Sequence, residues 1–373
     1  MKNQRILTIA IQALLPFLLV GCAPSYTSHA TSPSGLSESS TPTHQITQLE
    51  SSTPTTLLPS ATPPTRDLPN ADSILHTWDF GEKNLAFDSV FITKYGRHLV
   101  VAFFDDSMLM VYNFETGEDV VFRSPVDFAF LDFTNGISSS PEGILVAEYW
   151  PNESGDVTLW QVSREGENRA VANITEAEYF ITALAISPNG KTLALGYNNG
   201  EIRLFRAGDG SKIHAVQAHN DFVMSLAFSW DSRYLLSDSC CFDPFTYVFR
   251  VSDGSKIATL ATESYEPGRI SFSPDNQLAA VTSYDGTHIF STGNWSDIGF
   301  VIPTFEGKFT CDSQGLIAAA EDQANVYSVT TGKVVQTIDT ANSPPRDCLY
   351  NGLSVVVNTD YENNIVTLFS VEP

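Results

Sequence analysis

Basic side chains are in short supply: 20 Lys and Arg stand against 43 Asp and Glu, a net charge of −23. Phosphate binding needs a basic surface, so nucleic acid is excluded as a partner. The seven histidines (His29, His44, His76, His98, His214, His219 and His288) are scattered without ligand spacing, so no metal site is assigned. Enzyme signatures are missing too. No Gly-x-Ser-x-Gly elbow, His-Glu-x-x-His helix, phosphate-binding glycine loop or calcium loop occurs, and no catalytic residue is assigned. Nor is there a comfortable membrane span, because the apolar stretch Ile6 to Val20 is short and broken by Gln12 and Pro16.

That stretch follows Lys2 and Arg5 and ends in Leu19-Val20-Gly21-Cys22. It reads as a signal peptide over residues 1–21. Its last four residues resemble the bacterial lipoprotein lipobox, in which a small-residue cleavage site precedes the cysteine that becomes acylated. The resemblance implies lipidation of Cys22 by palmitate-like chains. Each buried methylene contributes about 0.8 kcal/mol, so two or three chains would hold the protein stably on a membrane. Ala23 in place of an aspartate would, by the same resemblance, disfavour retention at an inner membrane in a host with two membranes. The expected location is extracytoplasmic, anchored by lipid to the cell membrane or cell surface.

Residues 22–72 change character, with Ser, Thr, Pro and Ala dominating and no apolar periodicity. Such a segment buries too little apolar area to offset the entropy of ordering, which predicts a disordered stalk. Some 50 residues would reach roughly 40 Å as a coil and about 150 Å if polyproline-like. Removing the leader takes two bases and no acids, leaving 18 bases against 43 acids, a net charge of −25. Anionic headgroups would repel that surface, so membrane attachment falls to the lipid.

From residue 73 onwards an aromatic closes the same β-rich phrase seven times: Tyr112, Trp160, Phe205, Phe249, Phe290, Tyr327 and Phe369. A spacing of 37 to 48 residues is the signature of a radial β-repeat, whose unit cannot bury its faces alone. Within the phrase, Ile181-Thr-Ala-Leu-Ala-Ile-Ser-Pro-Asn-Gly190, Phe222-Val-Met-Ser-Leu-Ala-Phe-Ser-Trp-Asp-Ser232 and Ile270-Ser-Phe-Ser-Pro-Asp-Asn276 each read as a strand and a tight polar turn. A second strand, a polar loop and the third strand with its aromatic follow.

These phrases resemble the WD-repeat β-propeller family over residues 73–373. The resemblance implies an all-β, seven-bladed β-propeller of four-stranded antiparallel blades. In that family the outermost strand of one blade precedes the three inner strands of the next. Here the last third strand, Ile365 to Val371, has no fourth strand after it, and Ser73 to Phe80 can supply one and close the ring. Well-formed repeats carry a buried Asp–His–Ser–Trp network. The fourth repeat offers His219 and Ser237 but has Phe249 at the tryptophan position, and Gln161 follows Trp160 where an aspartate belongs. The network is therefore expected to be largely absent, with blades held by apolar packing. Five scattered tryptophans do not supply the docking motif of quinone-cofactor propellers, and Ser273-Pro-Asp275 lacks the glycine and tryptophan of the sialidase repeat.

Function is then sought in the loops of one face. Acids recur between second and third strands and before first strands, interleaved with aromatics such as Tyr179, Tyr197 and Phe245. The candidate binding residues are Asp221, Phe242, Asp243, Tyr265, Glu266, Tyr284, Asp285, Tyr361 and Glu362. An acidic, aromatic-dotted face suits a protein or peptide partner, with cationic peptides favoured by the field. The alternative is an extracytoplasmic hydrolase of lactones or glycans, using channel carboxylates and a divalent cation. Vicinal Cys240-Cys241 is placed in an exposed loop, where a local disulfide is conceivable. Cys311 and Cys348, each four residues before a glycine (Gly315, Gly352), are expected to be buried apolar substitutes for Ile186, Phe228 and Phe272.

Overall fold

Why the repeats become sheets is visible in their burial. The second strand of the third sheet, Thr192–Tyr197, is buried at every position, and so is His98–Phe103 in the first. A strand buried on both faces reads as a continuous apolar run, not an alternation. Fourth strands are different: Lys212–Gln217 mixes exposed and partly buried residues, none fully buried, and carries its lysine outward, which suits a sheet edge.

The computed structural model describes residues 73–81, 87–103, 107–123, 136–140, 143–149, 156–163, 167–175, 179–239, 243, 245–261, 270–283, 285–303, 307–320, 323–339, 347–348, 352, 354–360 and 363–371. The chain divides into the units Met1–Pro64 and Thr65–Pro373, and all described residues belong to the second. The leader, Cys22 and the stalk lie outside the described residues, as do Cys240 and Cys241.

Among the described residues seven four-stranded antiparallel sheets are formed, an all-β architecture consistent with a β-propeller. Six take their strands consecutively: residues 89–123, 137–174, 181–217, 223–261, 270–302 and 307–339. The seventh joins both ends of the unit. Its strands Asp347–Cys348, Ser354–Asp360 and Ile365–Val371 are followed by Ser73–Asp79, which pairs antiparallel from Ser73↔Ser370 to Asp79↔Ile365.

Packing occurs between successive sheets. Leu184, Leu195 and Phe205 of the third sheet meet Leu159 and Ile174 of the second, and Leu236 and Val248 of the fourth meet Phe272 and Ala279 of the fifth. Trp78, Val366 and Leu368 of the seventh pack against Leu99, Val101 and Phe103 of the first. Each Leu, Ile, Val or Phe side chain among them contributes about 1.5–3 kcal/mol on full burial. The repeating aromatics lie on third strands, where Phe205, Phe249 and Phe290 are buried.

The turns between first and second strands in the third to sixth sheets share one device. A Ser or Thr hydroxyl bonds the Asp or Asn two residues on: Ser187–Asn189 at 2.8 Å, Ser229–Asp231 and Ser273–Asp275 at 2.6 Å, and Thr310–Asp312 at 2.5 Å. The next residue in the last three turns (Ser232, Asn276, Ser313) is left-handed, with φ of 62°, 61° and 61°. These residues also receive a bond from the preceding sheet, as Asn189 N donates to Ser232 Oγ, Asp231 N to Asn276 Oδ1 and Asp275 N to Ser313 Oγ, each at 3.2 Å. A polar chain thus links the turns of the third to sixth sheets.

This register corrects the expectation for Cys311. Phe309, not Cys311, ends the first strand in the place of Phe272, and Cys311 falls in the turn between Thr310 and Asp312. It is not a free apolar substitute either, being disulfide-bonded. Cys348 does end a first strand, the two-residue Asp347–Cys348.

Candidate functional site

The end of the sheets opposite those turns carries the starts of first and third strands. In the fourth sheet it is organised by His219, placed just before the first strand. Its Nε2 lies 2.8 Å from Ser237 Oγ and its Nδ1 3.2 Å from Asp243 Oδ2. Asn220 N and the Tyr247 hydroxyl donate to the same carboxylate, at 3.3 and 3.1 Å. Gly200 shapes the approach, since its carbonyl accepts from both Ala218 N and His219 N.

Two expectations are corrected here. The Asp–His–Ser part of the network is present in the fourth sheet, with Phe249 buried at the tryptophan position and Tyr247 as an added hydroxyl donor. Asp243, grouped with the exposed face from its loop position, is 4% exposed. Its burial is compensated by hydrogen bonds from His219, Asn220 and Tyr247.

A serine, histidine and carboxylate in this order invite a hydrolytic reading. Burial argues for a structural one: Ser237, His219 and Asp243 are all buried, so the hydroxyl faces strands, not a substrate. Desolvation lowers the His219 pKa, with Asp243 acting in the opposite direction. Tyr247 is pushed up to about 12, first by burial and then by the neighbouring Asp243.

Above this buried layer stand exposed aromatics. Phe180 and Phe222 each precede the first strand of their sheets, and Phe245 begins the third strand Phe245–Arg250. Their exposures are 43%, 42% and 38%. Both first-strand starts are fixed, as Asn198 Oδ1 accepts from Phe180 N and Ser239 Oγ donates to Phe222 O. Thr182 Oγ1 donates to Val223 O at 2.6 Å, which holds the two starts side by side. Arg203 lies nearby, 4.7 Å over the buried Tyr197 ring and 2.6 Å from Glu201, whose pKa it lowers by hydrogen bonding.

Of the other predicted residues, Asp221 is half-buried and accepts from Phe222 N at 2.8 Å. Asp285 is exposed and holds His288 Nε2 at 3.1 Å, while Asp297 approaches His288 Nδ1 at 3.4 Å. Phe242, Tyr265, Glu266, Tyr284, Tyr361 and Glu362 lie outside the described residues. Among the described residues no group of three or more His, Cys, Asp or Glu is arranged to hold a metal ion. Sequence reasoning passed over Phe180 and Phe222, although an aromatic directly before a first strand is a readable signal in both repeats.

Comparison with known proteins agrees with this geometry. The family model of the WD40 domain of anaphase-promoting complex subunit 4 matches residues 155–231. The chain is similar to the ciliary WD repeat-containing protein ctxp80 of Euplotoides octocarinatus, 30% identical over 26% of this chain and 14% of that protein. It is similar to the WD repeat-containing protein sll1491 of Synechocystis sp., 29% identical over 32% of this chain and 33% of that one. The LST8 homolog of Drosophila melanogaster is 31% identical over 31% of this chain and 37% of its own length. Each of these matches spans less than two fifths of the relative. In sheets, turns and matches alike the chain is similar to WD40-repeat proteins.

Proposed function

We propose that this chain is a lipid-anchored, surface-exposed protein-interaction scaffold: a seven-bladed propeller, closed by the strand Ser73–Asp79, that docks a protein or peptide through one loop face. WD40-repeat proteins generally act as protein-interaction scaffolds. The observation that carries the reading is the trio Phe180, Phe222 and Phe245, exposed together at one end of neighbouring sheets and held by hydrogen-bonded backbone. Rigid exposed aromatics are the residues on which interface energy concentrates. Asp221 and Asp285 on the same end, with the overall acidity, favour a partner with cationic side chains around an apolar anchor. The Leu-Val-Gly-Cys22 junction supports the lipid anchor, and the Ser/Thr/Pro-rich stalk supports presentation away from the membrane.

The test compares capture of envelope proteins by the full chain and by the triple variant F180A/F222A/F245A at matched melting temperature. A captured protein that competes with short cationic-aromatic peptides and is lost by about tenfold or more in the variant supports the reading. Equal capture by both proteins overturns it. Radiolabelled palmitate incorporation, abolished in C22S, tests the anchor separately.

A further inference from the structure

Cys311 is disulfide-bonded, and its place in the fold identifies the other half. In the fourth sheet the turn Ser229-Trp230-Asp231-Ser232 has its left-handed residue at Ser232; in the sixth, Thr310-Cys311-Asp312-Ser313 has it at Ser313. Cys311 therefore occupies the place of Trp230, two residues before the left-handed position. Trp230 reaches into the next sheet, where its Nε1 donates to Phe272 O at 3.2 Å. Phe272 ends the first strand of the fifth sheet, four residues before the left-handed Asn276. The corresponding residue of the seventh sheet, four before the positive-φ Gly352, is Cys348.

A second contact points to the same place. Ser354 Oγ donates to Cys311 Sγ at 3.6 Å, although Ser354 belongs to the seventh sheet and Cys311 to the sixth. Ser354 is the register partner of Cys348 across the first two strands of that sheet. We infer that Cys311 is bonded to Cys348, so that a covalent bridge spans the sixth and seventh sheets where Trp230 and Phe272 make a packing and hydrogen-bond contact between the fourth and fifth.

The bridge gives the shortest of the described strands an anchor. Asp347–Cys348 pairs with its neighbour at only two positions, against seven for the pair Ser354–Asp360 and Ile365–Val371. Its formation removes two protons and two electrons from the thiols and passes them to the disulfide of an exported thiol oxidase, which leaves as a dithiol. Such bridges persist in oxidising compartments, so the inference also bears on export.

The experiment is peptide mapping of the full chain, alkylated on harvest and digested with trypsin without reduction. Cleavage after Lys308, Lys333 and Arg346 places Cys311 in peptide 309–333 and Cys348 in peptide 347–373, while Cys240 and Cys241 fall together in 234–250. The expected result is a reducible species joining 309–333 to 347–373. Linkage of 309–333 to 234–250 or to a second chain, or full alkylation of both cysteines even after treatment with glutathione disulfide, overturns the pairing. Linkage that forms only after that treatment upholds the pairing and counts against an oxidising compartment, so the two readings fail separately. As a second readout, reductant should lower the melting temperature of the natural chain by about 5–10 °C more than that of C348S; equal responses overturn the bridge.

Discussion

The hydroxyl of Tyr95 bonds Phe228 twice, donating to its carbonyl and accepting from its amide, both at 3.0 Å. The two residues are 133 positions apart, Tyr95 in the first turn of the first sheet and Phe228 at the end of the first strand of the fourth. Lys94 beside it donates to Ile270 O of the fifth sheet at 3.0 Å. One turn of the first sheet is therefore tied to two sheets far along the chain, and the Tyr95 ring rests edge-on against Trp230 at 5.7 Å.

Removing one oxygen tests that tie. Tyr95→Phe keeps the ring in its buried place but leaves the amide of Phe228 without its acceptor. The expected cost is about 1–3 kcal/mol. Urea unfolding should show a lower midpoint at unchanged slope; an unaltered midpoint would mean that water replaces the phenol at no cost.

Much of the fold was legible because its signals are local. The Ser-x-Asp and Ser-x-Asn turns at 187, 229 and 273 announce themselves within three residues, and Phe205, Phe249 and Phe290 mark their third strands. The register of the sixth repeat is obscured by two residues because Thr310 replaces the serine and the glycine at 315 mimics a turn glycine, whereas the left-handed position is Ser313. Tyr95 to Phe228 had no signal at all, since neither residue's neighbours encode a contact made across four sheets. At the candidate site, the exposed role of Asp285 was readable and the burial of Asp243 was not. Its loop position is ordinary, and only the fold brings His219 and Tyr247 to it.

The proposed closure of a ring rests on the strand Ser73–Asp79. It pairs along Ile365–Val371, and Trp78 both joins the cluster with Leu99 and Val101 and donates to Asp119 Oδ1 of the first sheet at 3.3 Å. Deleting residues 73–80 should expose a strand edge and the faces beneath it, lowering the melting temperature sharply and promoting aggregation. Deleting residues 23–66 should leave the melting temperature within about 2 °C of the full chain, a surface-level effect. Equal melting temperatures for the two truncations would sink the closure.

Gly200 couples backbone geometry to the buried network. Its φ is +82°, and a Cβ there would lie 2.2 Å from His219 O and 2.8 Å from Asp221 O, both backbone atoms. Neither can swing aside as a side chain would. Gly200→Ala should therefore cost at least about 2 kcal/mol and displace His219 from Ser237, seen as a shifted imidazole resonance. A fully stable variant with an unmoved His219 signal would show that the loop has slack the geometry denies.

Acid sensitivity follows from histidines held neutral. His98 is fully buried at the start of its strand, and burial, followed by the Arg97 charge, pushes its pKa down to about 3. Burial lowers His219 as well. The unfolded chain takes up a proton near pH 6.5 that the folded chain refuses, so stability is complete above that pH and is lost as pH falls towards the folded value. Between pH 6.5 and 5, above the main carboxylate range, His98 alone should account for a loss of about 2 kcal/mol. Denaturant unfolding of the natural chain and His98→Asn at both pH values separates this effect from any cost of the substitution itself. The variant should lose that much less between the two conditions, and parallel losses in both proteins would show that His98 takes a proton in the folded state as readily as in the unfolded one.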